Sequence, residues 1–333
     1  MDVKPKTIID SYGRIHDYLR ISLTERCNLR CFYCMPEEGV PLRDKKEFMS
    51  TEELLLIARQ FVDLGVKKIR LTGGEPTIKK DFSNIIRELG KLPVELALTT
   101  NAVMIDKYID DLKSAKINSI NVSLDSLKEE RFNTISRRNY FTKIKENIDL
   151  LIENNFKVKV NIVLIKGVND DEIIDFIKWS QITNISIRFI EFMPFDGNNW
   201  NWEKKIAYKE ILETITSHFG LNLVEKIQDS PNDTTRNFKI KDAIGSFGII
   251  SSVTNPFCDT CNRIRLTADG KLKNCLFSQT ETDLLTELRA GNEIESLIVQ
   301  NCWSKARERG GYKSFENSEI PKFNNRTMVA IGG

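Results

Sequence analysis

Cys27, Cys31 and Cys34 fall in one short run, Cys27-Asn28-Leu29-Arg30-Cys31-Phe32-Tyr33-Cys34. Three thiolates on such a loop can each bind a different iron of one cubane, and a set of three without a near fourth leaves one iron open. Structural zinc wants four closed ligands, commonly in pairs, so the spacing alone admits both a cluster and zinc. A second set, Cys258, Cys261 and Cys275, has the spacing C-x2-C-x13-C and repeats the shortage. The spare Cys302 lies in an apolar helical pattern beside Trp303 and is expected to be buried. His16 and His218, the chain's two histidines, are remote in sequence from either set. A second cluster with its own open iron therefore reads better here than a zinc ribbon.

Between the ligands of the second set lies Asn262-Arg263-Ile264-Arg265. On a strand, Arg263 and Arg265 share one face, and guanidinium forks suit phosphate oxygens and nucleobase acceptors. With Arg20, Arg70 and Lys159 they make an anion-binding funnel in a chain whose 49 basic and 47 acidic residues leave a net charge of only +2. Something bearing several negative charges is expected between the two cysteine sets. So even a balance supplies no global field for nucleic acid or an anionic membrane. The polar start Met1-Asp2-Val3-Lys4-Pro5-Lys6 is unlike a secretory signal, and no run approaches the ~20 apolar residues of a membrane span. A cytoplasmic location is expected, and in that reducing compartment seven cysteines serve metal binding, catalysis or burial rather than disulfides.

The elements that must position these groups follow a strand–helix rhythm. Apolar or alternating runs end near Leu23, Thr72, Thr100, Asp125, Ile165 and Glu191, mostly separated by segments of helical period. Ser50-Thr51-Glu52-Glu53 offers a capped start for an amphipathic helix carrying Leu54, Ile57, Ala58, Phe61 and Val62. Ile144, Ile148, Leu151 and Ile152 repeat the pattern. Six strands spaced by roughly 30 residues predict an α/β fold, a partial (βα)6 TIM-like barrel. Arg20, Ser22 and Thr24 alternate with apolar residues, as do Arg70 with Thr72, Lys157 with Lys159 and Asn161, and Asn121 with Ser123 and Asp125. One polar face would line the interior near the strands' C-terminal ends. Residues 1–214 are read as this barrel and 215–333 as a smaller C-terminal α+β region. That region holds the second cysteine set, a hairpin at Ala268-Asp269-Gly270-Lys271 with Cys275 on its return strand, and helices near Thr282–Leu288 and Glu293–Arg307.

Cys27-x3-Cys31-x2-Cys34, with Tyr33 just before the last cysteine, resembles the signature of radical S-adenosylmethionine enzymes. The resemblance implies a 4Fe-4S cluster whose open iron is chelated by the amino and carboxylate groups of S-adenosyl-L-methionine. Reduction would then break the sulfonium into methionine and a 5′-deoxyadenosyl radical. In Gly73-Gly74-Glu75-Pro76 two glycines let the backbone approach a ligand closely, and a carbonyl or Glu75 could accept hydrogen bonds from an ammonium group; the stretch is similar to the family's GGEP motif, which holds the methionine amine. Tyr33, Gly74, Ser123 and Met193 match positions that contact this cofactor.

The two three-cysteine sets, the C-N-R-x-R segment and the terminal Gly332-Gly333 together resemble the branch of the superfamily that starts molybdenum-cofactor biosynthesis from GTP, over about residues 18–333. That implies two 4Fe-4S clusters, on Cys27, Cys31 and Cys34 and on Cys258, Cys261 and Cys275. It implies GTP binding by Arg20, Arg70, Thr99, Lys159, Arg263, Ile264 and Arg265, with Arg263 and Arg265 in catalysis and the guanine on the second open iron. It also implies a tail that enters the active site, an electron donor and a downstream enzyme that takes the cyclic product, and it leaves a homodimer open. The family often reads T-T-N-G after its third strand. Here Ala102 follows Thr99-Thr100-Asn101, and a positive φ at that place would strain it by about 1 kcal/mol. Another radical enzyme with an auxiliary cluster, such as a peptide-modifying one, and a zinc-stabilised binding or redox-sensing protein are the competing readings.

Overall fold

The computed structural model describes residues 6–332 apart from 42, 199, 314 and 316–324. Six parallel strands form its centre in chain order: β1 (Tyr18–Ser22), β2 (Lys68–Thr72), β3 (Glu95–Thr100), β4 (Ser119–Ser123), β5 (Lys157–Leu164) and β6 (Ser186–Glu191). Each crossover carries helix: α1 (Thr51–Asp63), α2 (Phe82–Leu89), α3 (Ile109–Ser114), then α4 (Glu129–Ser136) with α5 (Phe141–Glu153), and α6 (Ile173–Ile182). The α1 boundary follows from its cap. The Ser50 hydroxyl accepts from the Glu53 amide while the Glu53 carboxylate accepts from the Ser50 amide, so two otherwise orphaned donors are satisfied.

Period-two alternation is visible in the burial of the strands. Leu19, Ile21, Ile69, Leu71, Leu98, Ile120, Val160, Ile162, Ile187 and Phe189 are all inaccessible and pack beneath the helices as one continuous core. The opposite faces carry Arg20, Arg70, Thr99, Asn121, Lys159 and Arg188, so the polar interior read from the sequence is present.

The chain after β6 does not stand apart from this sheet. After α7 (Tyr208–Phe219) come β7 (Val224–Lys226), β8 (Arg236–Ile240) and β9 (Ser246–Ile250), and β9 lies parallel to β6 with β8 and β7 antiparallel beyond it. At the other edge β10 (Arg263–Leu266) lies parallel to β1, followed antiparallel by β11 (Lys271–Lys273) and β12 (Thr282–Asp283). The twelve strands make one sheet with β12 and β7 at its ends, an open barrel rather than a closed one. The Asp269-Gly270 hairpin joins β10 to β11 as expected, but Cys275 lies past the end of β11, in the turn after it, rather than on the return strand. The last helices are α8 (Leu284–Arg289), α9 (Glu295–Trp303) and the short α10 (Met328–Ile331). No helix among the described residues is long and apolar enough to cross a membrane.

Candidate functional site

Parallel pairing puts the first cysteine set and the leading pair of the second, Cys258 and Cys261, at opposite ends of the central strands. Cys27, Cys31 and Cys34 follow β1 and lie at the strands' C-terminal ends. Cys258 and Cys261 precede β10, which pairs Arg263 with Tyr18, and so lie at the N-terminal ends. The basic side chains occupy the layers between. Arg265, Arg20 and Arg70 stand in one row across β10, β1 and β2, while Arg263, Tyr18 and Lys68 form the row below. Across the interior, Thr99, Asn121 and Lys159 make a further row on β3, β4 and β5, and Arg188 pairs with Asn161.

The first cysteine loop is held by the strand ends around it. The Cys27 sulfur accepts from the Leu29 amide at 3.4 Å and from Asn101 Nδ2 at 3.7 Å. Such donors favour a thiolate and tune any iron bound to it. Burial, reinforced by Glu75, pushes the Cys27 thiol up to about 11, and burial pushes Cys34 up to about 12. Cys31 is pushed up in the same way, so ionising all three in this pocket calls for a cation, which a bound metal cluster would supply. Tyr33 donates its hydroxyl to Asp125 at 2.6 Å, and the Asp125 carboxylate also accepts from the Val163 amide at 2.9 Å, so the loop is tied across to β4 and β5.

Of the two acceptors read from the Gly73-Gly74-Glu75-Pro76 stretch, a backbone carbonyl and Glu75, the carboxylate is already engaged within the protein. Glu75 is fully buried. One oxygen accepts from the Thr77 amide (3.0 Å), the Thr77 hydroxyl (2.6 Å) and the Thr100 hydroxyl (2.7 Å), and the other from the Asn101 amide (2.6 Å). These four bonds fix the ends of β2 and β3. The glycines serve the same clamp. A Cβ on Gly74 would lie 2.2 Å from the Arg26 carbonyl oxygen, and the Gly74 and Glu75 amides donate to Thr24 and Arg26 at 2.6 and 2.8 Å. Ala102 does have a positive φ, 61°, with its amide on the Thr100 hydroxyl and its carbonyl on Asn147.

Ser123 ends β4 on the polar face, and Met193 lies beyond β6. Met193 packs with Cys275, Trp200, Trp202 and Met328 against a separate apolar cluster of Phe195, Val253, Phe277, Phe315 and Ile331. That cluster brings the chain after β6, the third cysteine of the second set and the C-terminal helix together. The described tail enters the barrel: the Gly332 carbonyl accepts from Arg265 Nη1 at 3.1 Å and from the Thr72 hydroxyl at 3.2 Å. Arg326 anchors the segment before it, with both Asp269 oxygens at 2.9 Å and Glu281 at 2.7 Å. Gly333 lies outside the described residues.

At the second set, the Cys258 sulfur accepts from the Arg309 amide at 3.5 Å, and burial pushes both Cys258 and Cys275 up. Cys261 is held below its ordinary value, because Lys305 and Arg263 outweigh its burial. Among the described residues no group of three or more His, Cys, Asp or Glu converges as it would on a single metal ion. Thiolates on a cubane stand apart, each on its own iron, so this arrangement and the cluster reading are compatible. Cys302 is inaccessible, as expected.

The interior is strongly electropositive. Burial, with Arg188 and Arg70 nearby, brings Lys159 down to about 8, and burial brings Arg265 down to about 10. Tyr18 is half-buried, and although desolvation acts to raise its hydroxyl, Arg70 and Arg20 pull it down to about 8. Arg70 is itself oriented by the Tyr18 hydroxyl at 2.6 Å and the Leu98 carbonyl at 2.7 Å, with Thr99 at 3.5 Å. Buried polar atoms without a protein partner face this space: Arg188 Nε, Arg263 Nη1, Asn121 Oδ1 and Asn161 Oδ1. Orphans of this kind in a folded chain mark a place for a polar ligand. Ile264, expected among the ligand contacts, turns its side chain into the hydrophobic core, so only its backbone faces the site. Arg188 was missed in the sequence, although Ser186-Ile187-Arg188-Phe189 carries the same alternation that revealed Lys159.

Fold and site together define a radical S-adenosylmethionine enzyme with a second cysteine site. Residues 21–180 match the Radical SAM superfamily and residues 185–310 match Molybdenum Cofactor Synthesis C. The chain is 44% identical over 329 residues to "GTP 3',8-cyclase, mitochondrial" of Arabidopsis thaliana, covering 98% of this chain and 83% of that one. It is 41% identical to "GTP 3',8-cyclase" of Peptoclostridium acidaminophilum, covering the whole of both. It is 45% identical to "Molybdenum cofactor biosynthesis protein 1" of Mus musculus, of which it spans 51%, about half the relative's length. The chain belongs to the GTP 3′,8-cyclase family of molybdenum cofactor biosynthesis. In fold it is similar to Streptococcus suis SuiB bound to precursor peptide SuiA, with a TM-score of 0.64 at 17% identity, covering 96% of this chain and 72% of that one.

Proposed function

We propose that this chain converts GTP to (8S)-3′,8-cyclo-7,8-dihydroguanosine 5′-triphosphate, binding two 4Fe-4S clusters and S-adenosyl-L-methionine. The observation that carries this reading is the row of Arg265, Arg20 and Arg70, half-buried to buried, with Lys159 and Arg188 near it, set between two three-cysteine sites. When bound, the first cluster would supply the electron that cleaves S-adenosyl-L-methionine, and the second would offer an open iron to the guanine.

The chain's own residues do the rest. Arg20, Arg70, Lys159 and Arg188 neutralise the triphosphate, with Thr99 beside Arg70. In a space already lined with cations, an anion recovers the cost of burying them. Arg263 and Arg265 share the face toward the second cysteine site and orient the ribose and base, which a reaction joining C3′ to C8 requires to be close. Ser123, Met193, Tyr33 and the carbonyls near Gly74 line the cofactor end. The tail at Gly332 and the aromatic cluster around Phe195 and Phe277 close the barrel against water, which protects a radical from side reactions. Partners in this reading are a one-electron donor and an enzyme that takes the cyclic product, with a homodimer as the assembly to be tested. We place the protein in the cytoplasm, although the plant relative's name assigns that protein to mitochondria.

Incubating the reconstituted, reduced protein with S-adenosyl-L-methionine and GTP tests the reading. It should yield 5′-deoxyadenosine and a cyclised nucleotide together. Deoxyadenosine without consumption of GTP would refute GTP as the substrate, and stoichiometric zinc in place of iron would refute the cluster assignment.

A further inference from the structure

Lys305 follows α9 and is 3% exposed. Its ammonium group donates to the Cys261 sulfur at 3.4 Å and to the Arg263 carbonyl at 2.9 Å. Asp10, which like Lys305 acts on both His16 and Cys302, is already engaged by Arg14 at 2.6 Å and by His16 at 3.0 Å. A buried ammonium is costly unless an anion compensates it. Among the described residues no carboxylate pairs with Lys305, so the compensating charge has to come from the cysteine site itself. Three thiolates outweigh the doubly positive core of an oxidised cubane, and reduction adds one more negative charge.

We infer that Lys305 is the counter-ion of the second cluster, favouring its reduced form and coupling it to the strand that carries Arg263 and Arg265. The inference rests on the two-cluster reading above. The coupling is geometric: one ammonium group bonds both a ligand sulfur and the first carbonyl of β10, so the charge at the cluster and the placement of the substrate-facing arginines share an anchor. Arg14 braces the same loop from outside, through the Cys258 carbonyl at 2.7 Å and the Arg307 carbonyl at 2.6 Å. Lys305 is thus a positioning residue.

The test uses the full chain with Cys27, Cys31 and Cys34 replaced by alanine, so that iron reports on the second site alone. Lys305→Met and Lys305→Arg are reconstituted and titrated reductively with detection by electron paramagnetic resonance. Lys305→Met should shift the midpoint to more negative potential, while Lys305→Arg should stay near the parent. Thermal midpoints supply a readout that a merely structural lysine would not give. In cluster-free protein Lys305→Met should melt at or above the parent, since a buried uncompensated charge is gone. In loaded protein it should melt below the parent. An unchanged midpoint potential, or equal destabilisation of both forms, would overturn the inference. Iron content of the parent is read first: absence of iron from the second site there would overturn the two-cluster reading, and this inference with it.

Discussion

Glu75→Gln separates a structural clamp from a cofactor ligand. The Glu75 carboxylate accepts three hydrogen bonds on one oxygen and one, from the Asn101 amide at 2.6 Å, on the other. Glutamine can keep an acceptor on one side only. With its carbonyl toward Thr77 and Thr100, its NH2 group meets the Asn101 N–H donor to donor, and the reverse orientation is worse for the Thr77 amide. At least one buried amide then loses its acceptor, at about 1–3 kcal/mol. The remaining bonds also lose their charge assistance. Against this, a neutral amide is cheaper to bury, and burial does hold the Glu75 pKa above its ordinary value. The net expectation is a loss of about 1–3 kcal/mol, and about twice that for Glu75→Ala, which strands two backbone amides. Asn101 also donates to Asn28 at 2.7 Å and to the Cys27 sulfur, so iron retention at the first site should fall with stability. Denaturant unfolding of cluster-free protein and iron content after reconstitution read both effects. Unchanged stability and iron content, combined with a loss of S-adenosyl-L-methionine affinity, would refute the clamp and favour Glu75 as a direct ligand.

In the proposed reaction Arg188→Met would remove one charge-assisted contact to the triphosphate, worth about 1.5–3 kcal/mol, so the KM for GTP should rise roughly 10- to 150-fold in steady-state assays. Because Arg188 Nε lacks a protein partner, the thermal midpoint of the free protein should not fall. Tyr18, pulled down to about 8 by Arg70 and Arg20, should ionise near that pH in the free protein. GTP should move its ionisation back up by neutralising those cations, as a tyrosinate absorbance titration with Tyr18→Phe as control will report. Hydrogen bonds from Arg131 and Lys128 hold Asp171 down to about 2, below its unfolded value of 3.8. Its contribution to stability is therefore present above about pH 4 and lost as pH falls toward 2. Asp171 is half exposed, so Asp171→Asn should cost under about 1 kcal/mol at neutral pH and flatten acid denaturation over that window.

Local signals in the sequence carried the strands, the α1 cap and the polar interior, because alternation and capping are decided within a few residues. The strand ends at Thr72, Thr100 and Glu191 coincide with the ends read from the runs. Non-local pairing was not legible. That β9 and β10 extend the parallel centre at both edges depends on contacts between β6 and β9 and between β10 and β1, distant in the chain. The role of Glu75 was hidden for the same reason, since Thr100 and Asn101 reach it from the next strand. Arg188 was legible by period two, since it stands on the polar face of β6 beside Asn161, a residue the alternation in β5 had already marked. Cys275 was misplaced by two residues because β11 ends at Lys273, before the turn through Asn274. The positive φ suspected at Ala102 is present, and the Asn147 amide that bonds its carbonyl comes from α5, outside the reach of a motif comparison.

The most direct measurement uses GTP carrying deuterium at C3′ of the ribose. With reduced protein and unlabelled S-adenosyl-L-methionine, the 5′-deoxyadenosine formed should carry the deuterium, in step with the cyclised nucleotide. Unlabelled 5′-deoxyadenosine alongside turnover of GTP would contradict removal of hydrogen from C3′, and with it the proposed reaction at the arginine-lined centre of this barrel.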